Sequence, residues 1–383
     1  MDRVDLRQNQ LDVLRGIAIL GIALMNVFGF AIPSWYSFDI YWQQTPVSTL
    51  DVWLYQIQQL LLQGRFRTLL TLLLGVGLWL LAKPFSNSIP HDIDQQLKRR
   101  YWALALFGFC HISFFWTGDI TLWYALSALL LLAFGLLSWP ALQQFRLGLS
   151  FIVITVLLNY AVAWSTLLSE PLPTQGLSEE DILVAQQLYH GPLLAWWQAM
   201  WQENLYGVLG FCFNLAWLNI GTMLIGIALY RQGFFQNGMT RWQEFILFTL
   251  ACGLDVVGLY ISEGQQSGMH FWYDFSALLM ALVFASWIIK WRSQALIARM
   301  LQACGKMALS LYFLQTLLFL AWFNMLAPEW YANSERWQLL LLALAVMVLC
   351  GVFALTWQRF YATGPLESVW RRLYQLKAPS QVV

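Results

Sequence analysis

The sequence predicts an all-α polytopic membrane protein, and three observations predict it. Of 383 residues, 59% are hydrophobic and only 11% charged, with 22 Trp. Mean hydropathy is +0.58. The apolar residues gather into runs of roughly 20, the length a helix needs to cross a bilayer. These runs leave room for about ten spans and short loops, with no sizeable soluble domain.

The N-terminus MDRVDLRQNQLDVLRGIAILGIALMNVFGFAIP places basic residues before an apolar run, as a signal peptide does. Arg15 and Asn26 interrupt that run and no small-residue cleavage site follows, so it reads as a retained first helix over Val13 to Ile32. Hydropathy places further spans near Phe66 to Ala82, Tyr101 to Trp116, Ile120 to Trp139, Leu147 to Leu168 and Tyr206 to Tyr230. The last four lie near Phe245 to Ile261, Phe271 to Lys290, Met307 to Ala327 and Leu339 to Trp357. Ten helices put both termini on one side. Between the first two, Leu50, Trp53, Leu54, Ile57, Leu60 and Leu61 recur at helical spacing against Gln56, Gln59 and Gln63. Thr49 to Gln63 is therefore expected as an amphipathic helix in the outer interface, leading into the second span. Ser169 to Glu203, with Pro171, Pro173, Gly176 and the acidic run Glu179, Glu180 and Asp181, is the longest external connection. It reads either as a solvated loop or as a cap over a cavity. Residues 358–383 form a tail, and no inverted internal repeat stands out.

Of 21 Lys and Arg, only Arg65, Arg67 and Arg336 fall on the side away from the termini. The positive-inside rule then makes the termini cytoplasmic. A net charge of +1 and the absence of a basic patch interleaved with aromatics argue against a nucleic-acid partner. The expected partners are membrane lipids and a small-molecule or lipid substrate. Cys110, Cys212, Cys252, Cys304 and Cys350 form no CxxC and read as core packing. Four His and scattered Cys have no ligand spacing for a metal. There is no Walker loop, dinucleotide fingerprint or GxSxG elbow, so nucleotide-driven, redox and serine-hydrolase chemistries lose support.

Chemistry is expected where ionisable groups sit at membrane depth, because they are costly there. His111 and Asp119 stand in FGFCHISFFWTGDITLWYAL. His111 lies ten residues after Tyr101, on the order of 15 Å along the helix, with Gly118 permitting a turn before the fourth span. An imidazole so placed serves as general base and a carboxylate orients it through the other ring nitrogen. The structural alternative is a satisfied core histidine beside an aspartate that caps the next helix. Arg65 reads as an anion site, a partner of Asp119 or an anchor, and Arg67 as a snorkelling anchor. Asp12 and Arg15 share a helix face, an i, i+3 ion pair, although arginine's fork also suits a phosphate entering from the cytoplasm. Asn26, about three turns on, reads as an interhelical hydrogen bond or a ligand. His91 and His190 fall in loops, and His270 opens the eighth span near Asp274.

Six blocks in order resemble the YeiB-type bacterial inner-membrane proteins, a family defined by a domain of unknown function. LDVLRGIAILGIALMN is similar to its first helix, with Arg15, Gly16 and Asn26 in place. GRFRTLLTLLLGVG is similar to its second, with Arg65 where the family has lysine and Leu70 and Leu74 where it has phenylalanine. FGFCHISFFWTGDITLWYAL carries its histidine and Gly-Asp signature, and GTMLIGIALYRQGFF, GKMALSLYFLQTLL and GPLESVWRRL follow. The resemblance implies a bacterial inner-membrane location and distant kinship with membrane acyltransferases of the heparan glucosaminide acetyltransferase type. Those move an acyl group from a cytoplasmic CoA thioester across the membrane using a histidine in the loop after the first helix. Here that loop, Pro33 to Ser48, has none, so only His111 is left for the role.

The expected function is therefore acyl transfer from a cytoplasmic acyl-CoA, with no tightly bound cofactor, to a periplasmic or lipid-borne hydroxyl or amine. His111 and Asp119 are the catalytic candidates, and Arg15, Asn26 and Arg65 the substrate-binding ones. A transporter or flippase using His111, Asp119 and Arg65 as a proton or anion site, and a non-catalytic lipid-binding protein, are the alternatives.

Overall fold

The computed structural model describes residues 3–32, 48–82, 91–168, 180, 183–184, 192–261, 272–291 and 295–375. Every regular element among them is helical. The first half contains α1 (Arg3–Ala31), α2 (Thr49–Leu61), α3 (Arg65–Ala82), α4 (His91–Phe114), α5 (Thr121–Ala133) and α6 (Ala141–Leu168). Next come α7 (Leu193–Gly210), continuous through a π-turn at Phe211–Leu215 with α8 (Ala216–Arg231), then α9 (Phe234–Asn237), α10 (Arg241–Ile261) and α11 (Tyr273–Lys290). The chain closes with α12 (Leu296–Lys306), α13 (Ala308–Ala321) with a π-helical end at Trp322–Leu326, α14 (Arg336–Trp357) and α15 (Pro365–Gln375).

Eight of these stretches are long and apolar enough to cross a membrane, and the chain is a multi-pass membrane protein. They coincide with eight of the ten expected spans. The other two, Tyr101 to Trp116 and Ile120 to Trp139, fall on α4 and α5. Helix α4 begins at His91, which bonds Gln95 at 2.7 Å instead of lying in a loop. Its leading half carries Asp92, Asp94, Lys98, Arg99 and Arg100. Helix α5 has 13 residues, about 20 Å at 1.5 Å per residue. Together they form a hairpin, pressed close where Gly108 meets the backbone of Leu122 and leaves no space for a β-carbon. Helix α7 begins at Leu193, ahead of the apolar stretch Trp196–Arg231, so the end of the expected external loop is helix; His190 and most of that loop lie outside the described residues, as does His270.

Two apolar clusters form the interior. One draws on α3, α4, α5, α8 and α11, the other on α1, α12, α13 and α14, and Ile120 packs against both. The residue after Asp119 therefore sits on the seam between them. Helix α1 crosses α12 where Gly16 faces the Leu301 carbonyl and Gly305 faces that of Asp12. Any side chain at either glycine would force the helices apart. Cys304 and Cys350 are buried in this core, whereas Cys212 is exposed, a correction to core packing for all five.

Helix α2 is amphipathic as expected. Its outward apolar residues are Leu50, Trp53 and Ile57, at 53%, 61% and 47% exposure, while Asp51, Gln58 and Gln59 are buried. The polar face turns inward because Arg336 is there. Gln58 accepts from its guanidinium at 3.2 Å and Asp51 accepts its backbone N–H at 3.0 Å, capping α14.

The tail helix α15 docks through Glu367, whose carboxylate accepts the N–H groups of Leu309 at 2.8 Å and Ser310 at 3.1 Å and so caps α13. Trp370 donates to the Arg100 carbonyl at 2.9 Å, and the Arg100 guanidinium lies 4.0 Å from its ring centroid. Burial pushes the Glu367 carboxyl above its ordinary value of 4.5, against the hydrogen bonds from Ser310 and Leu309. The folded state then retains a proton that the unfolded state releases. Docking is fully supported below pH 4.5 and weakens as pH rises toward the raised value. Hydrogen exchange of α15, corrected for intrinsic rates, is expected to quicken over that window, with the slope lost in Glu367→Gln. A slope unchanged in the variant would contradict this.

Candidate functional site

His111 lies in the last turn of α4 and Asp119 just ahead of α5. The hairpin thus sets an imidazole at a helix C-terminus and a carboxylate at a helix N-terminus, the ends whose backbone dipoles attract cation and anion respectively. His111 Nδ1 is 3.1 Å from Asp119 Oδ1, and both side chains are fully buried. The two atoms face each other without forming a hydrogen bond, and neither has a hydrogen-bond partner among the described residues. Asp119 Oδ2 accepts the Leu122 N–H at 2.7 Å. The aspartate therefore both faces the histidine and caps the next helix. Gly118 adopts no left-handed backbone; its smallness is needed because the Trp116 ring occupies the space beside it.

The other imidazole nitrogen, Nε2, is 2.9 Å from Thr316 Oγ1 on α13. That hydroxyl is also 3.3 Å from the Tyr312 carbonyl one turn back. One hydroxyl proton serves only one of these acceptors. With the hydroxyl proton directed at Nε2, that nitrogen accepts; with it directed at the Tyr312 carbonyl, Nε2 must donate. Phe115, Tyr312 and Phe313 box the ring at centroid distances of 5.9, 5.0 and 4.5 Å. Asn204 of α7 satisfies the Ile112 carbonyl at 3.0 Å, fixing the end of α4.

Beyond Phe115 lies a cavity of about 40 Å³, lined by Phe30, Phe115, Trp116, Trp196, Phe323 and Asn324 among others. Trp116 is held over it by a hydrogen bond to the Gly29 carbonyl at 3.2 Å and by stacking on Phe30 at 4.4 Å. Phe115 is the shared wall. Phe115 lines the cavity and also stacks on His111.

The other sequence candidates are placed apart from this pair. Arg65 is buried and ion-paired with Asp255, not Asp119, and also donates to the carbonyls of Gln63 and Leu60. Asp255 accepts the Ser276 hydroxyl at 2.5 Å. Arg67 is no snorkelling anchor: it pairs with Asp274 at 2.7 Å, and Asn159 reaches the same carboxylate at 3.4 Å. Arg15 pairs with Asp12 at 2.9 Å, as its spacing predicts, in the N-terminal half of α1, whereas Trp116 bonds Gly29 near the C-terminal end of that helix. Asn26 is half-buried one turn before Phe30, and no hydrogen bond joins it to His111 or Asp119.

Sequence reasoning missed Thr316 and Tyr312. Both lie in the block GKMALSLYFLQTLL, but neutral side chains in an apolar helix carry no charge signal. Asp255 was legible by the rule that found Asp119, an ionisable group inside an apolar run, and was passed over. Among the described residues, no group of three or more His, Cys, Asp and Glu is placed to hold a metal.

These helices and this enclosed His–Asp pair define a multi-pass helical membrane protein with an intramembrane polar site. The chain matches, over residues 229–377, the model of the family described as Protein of unknown function (DUF418), the part that carries Tyr312, Thr316 and Glu367. It is a homologue of the uncharacterized protein YeiB of Escherichia coli (strain K12), 28% identical with 96% of each chain covered. It is similar to an uncharacterized 39.9 kDa protein of the amylase 3′ region of Bacillus acidopullulyticus, 26% identical over 98% of this chain and 96% of that one. It is also similar to the uncharacterized protein YxaH of Bacillus subtilis (strain 168), 24% identical over 94% and 92%. No solved structure matches.

Proposed function

We propose that the protein is a bacterial inner-membrane acyltransferase with ten crossings and cytoplasmic termini, its α2 helix lying in the outer interface. It moves an acyl group from a cytoplasmic acyl-CoA to a periplasmic or lipid-borne hydroxyl or amine. The observation that carries this reading is the imidazole of His111, turned toward Asp119 by one nitrogen and holding a hydroxyl oxygen 2.9 Å from the other. That is the arrangement in which a general base takes a proton from an attacking hydroxyl while a carboxylate orients it. Its burial supplies the water exclusion that a thioester needs to escape hydrolysis.

Arg15 stands in the N-terminal half of α1 with Lys306 within electrostatic reach of the same Asp12, and Arg15 and Arg100 both act on Tyr101. This cationic mouth is where we place the phosphates of the donor. The cavity beside Trp116, near the C-terminal end of α1, is where we place the acceptor, with Asn26 between the two. Arg65, committed to Asp255, is left out of the substrate-binding set. A proton-coupled transporter is the second reading, favoured by the complete enclosure of the pair and by the two positions open to the Thr316 proton.

Sidedness tests the proposal. In vesicles of known orientation, acyl transfer is expected only when acetyl-CoA is supplied on the face bearing α15 and the acceptor is in the membrane or on the other face. Equal transfer from acetyl-CoA on either face would contradict it, and solute movement driven by a pH gradient without thioester loss would establish the transporter.

A further inference from the structure

We propose that Thr316 is a catalytic nucleophile which carries the acyl group between donor and acceptor, and that the group carried is short. The inference rests on the acyltransferase reading and adds a covalent step to it. A threonine in an apolar helix ordinarily returns its hydroxyl proton to the carbonyl one turn earlier. Here that contact, to Tyr312, is the long one at 3.3 Å, and the contact to His111 Nε2 is the short one at 2.9 Å. The hydroxyl, the imidazole and the carboxylate of Asp119 stand in the order nucleophile, base, orienter. Three separate elements supply them: α13, the end of α4 and the turn before α5.

The surroundings fit an acyl carrier better than a solvated acid–base site. Thr316 is 2% exposed and His111 is fully buried, so an ester formed there is shielded from water. The neighbouring cavity is small and mostly aromatic and aliphatic, with Leu320 one turn along α13 from Thr316 among its walls. Phe115 alone is shared between the cavity and the imidazole's aromatic box.

In the first half-reaction Thr316 Oγ1 attacks the thioester carbonyl and its proton passes to His111 Nε2. The C–S bond breaks, and the thiolate leaves as CoA thiol with the proton from the imidazolium. In the second, the acceptor hydroxyl or amine attacks the threonyl ester and gives its proton to His111. The C–Oγ1 bond breaks and Thr316 recovers the proton.

The test uses purified full-length protein with carbon-labelled acetyl-CoA and no acceptor, quenched in acid. One acetyl group is expected per chain, mapped to the peptide carrying Thr316, together with exchange of free CoA into acetyl-CoA. Thr316→Ser is expected to retain both. Thr316→Val, nearly the same shape without the hydroxyl, is expected to lose the label and to slow exchange by about 100-fold or more. Label mapped to His111, or acceptor-dependent transfer by Thr316→Val at the wild-type rate, would overturn the nucleophile while leaving the acyltransferase standing. No thioester consumption with or without acceptors would overturn the acyltransferase itself. Mapping in the wild-type protein and Thr316→Ser decides the matter even where Thr316→Val fails to fold.

Discussion

Replacing His111 by glutamine is expected to lower thioester turnover by roughly 10²–10⁴-fold, the usual contribution of a positioned general base, while the protein still folds. Glutamine fills much of the imidazole's volume and offers polar atoms to both Asp119 and Thr316, but it cannot take a proton. Alanine at the same position removes more. It opens a void among Phe115, Tyr312 and Phe313 and leaves a buried carboxylate facing it. Leaving a buried polar group without its partner costs about 1–3 kcal/mol and the void adds to this, so His111→Ala is expected to lower both activity and the unfolding midpoint in detergent. The contrast between the two variants separates chemistry from stability. Full turnover in either variant would remove His111 from the mechanism.

The second large effect lies away from the chemistry. Arg65→Met is expected to destabilise the protein by about 3–5 kcal/mol, because Asp255 is then left buried without its cation. The double variant Arg65→Met/Asp255→Leu is expected to recover most of that loss, since an apolar pair of similar size need not be desolvated as ions. Thermal unfolding in detergent reads both, and turnover per folded molecule is expected to hold in the double variant. An unchanged midpoint in Arg65→Met would show that the pair does not hold α3 to α10. Lost turnover in a well-folded double variant would return Arg65 to the substrate-binding residues.

Much of this architecture was legible because membrane depth makes sequence signals loud. The apolar runs located the long helices, and the rarity of ionisable groups inside them pointed to His111 and Asp119 before any contact was known. Their proximity follows from a hairpin that brings a helix end back on its neighbour, which the short spacing between them allowed. Periodicity showed that α2 was amphipathic, but its polar face is met by Arg336, some 280 residues away in the chain, as the Gln58 contact shows. The start of α4 was hidden because its charged leading turns are helical without being apolar, so hydropathy marks only the later half. Thr316 was invisible for a related reason: its importance is a relation to His111 across two helices, and nothing in its own segment distinguishes it from a threonine that bonds its own backbone. Arg67 misled because an anchor and half of an ion pair look alike until Asp274 is placed beside it.

The measurement that bears most directly on the His–Asp site is acetyl-CoA thioester consumption by purified wild-type protein beside Asp119→Asn, in the presence of candidate hydroxyl and amine acceptors. Asparagine keeps the size of the side chain and an oxygen for the Leu122 N–H, but removes the charge that orients His111. Acceptor-dependent consumption by the wild type, reduced about 100-fold or more in Asp119→Asn, is the predicted result. Consumption equal in the two proteins, or absent from a wild-type protein that instead carries solute along a pH gradient, would contradict it.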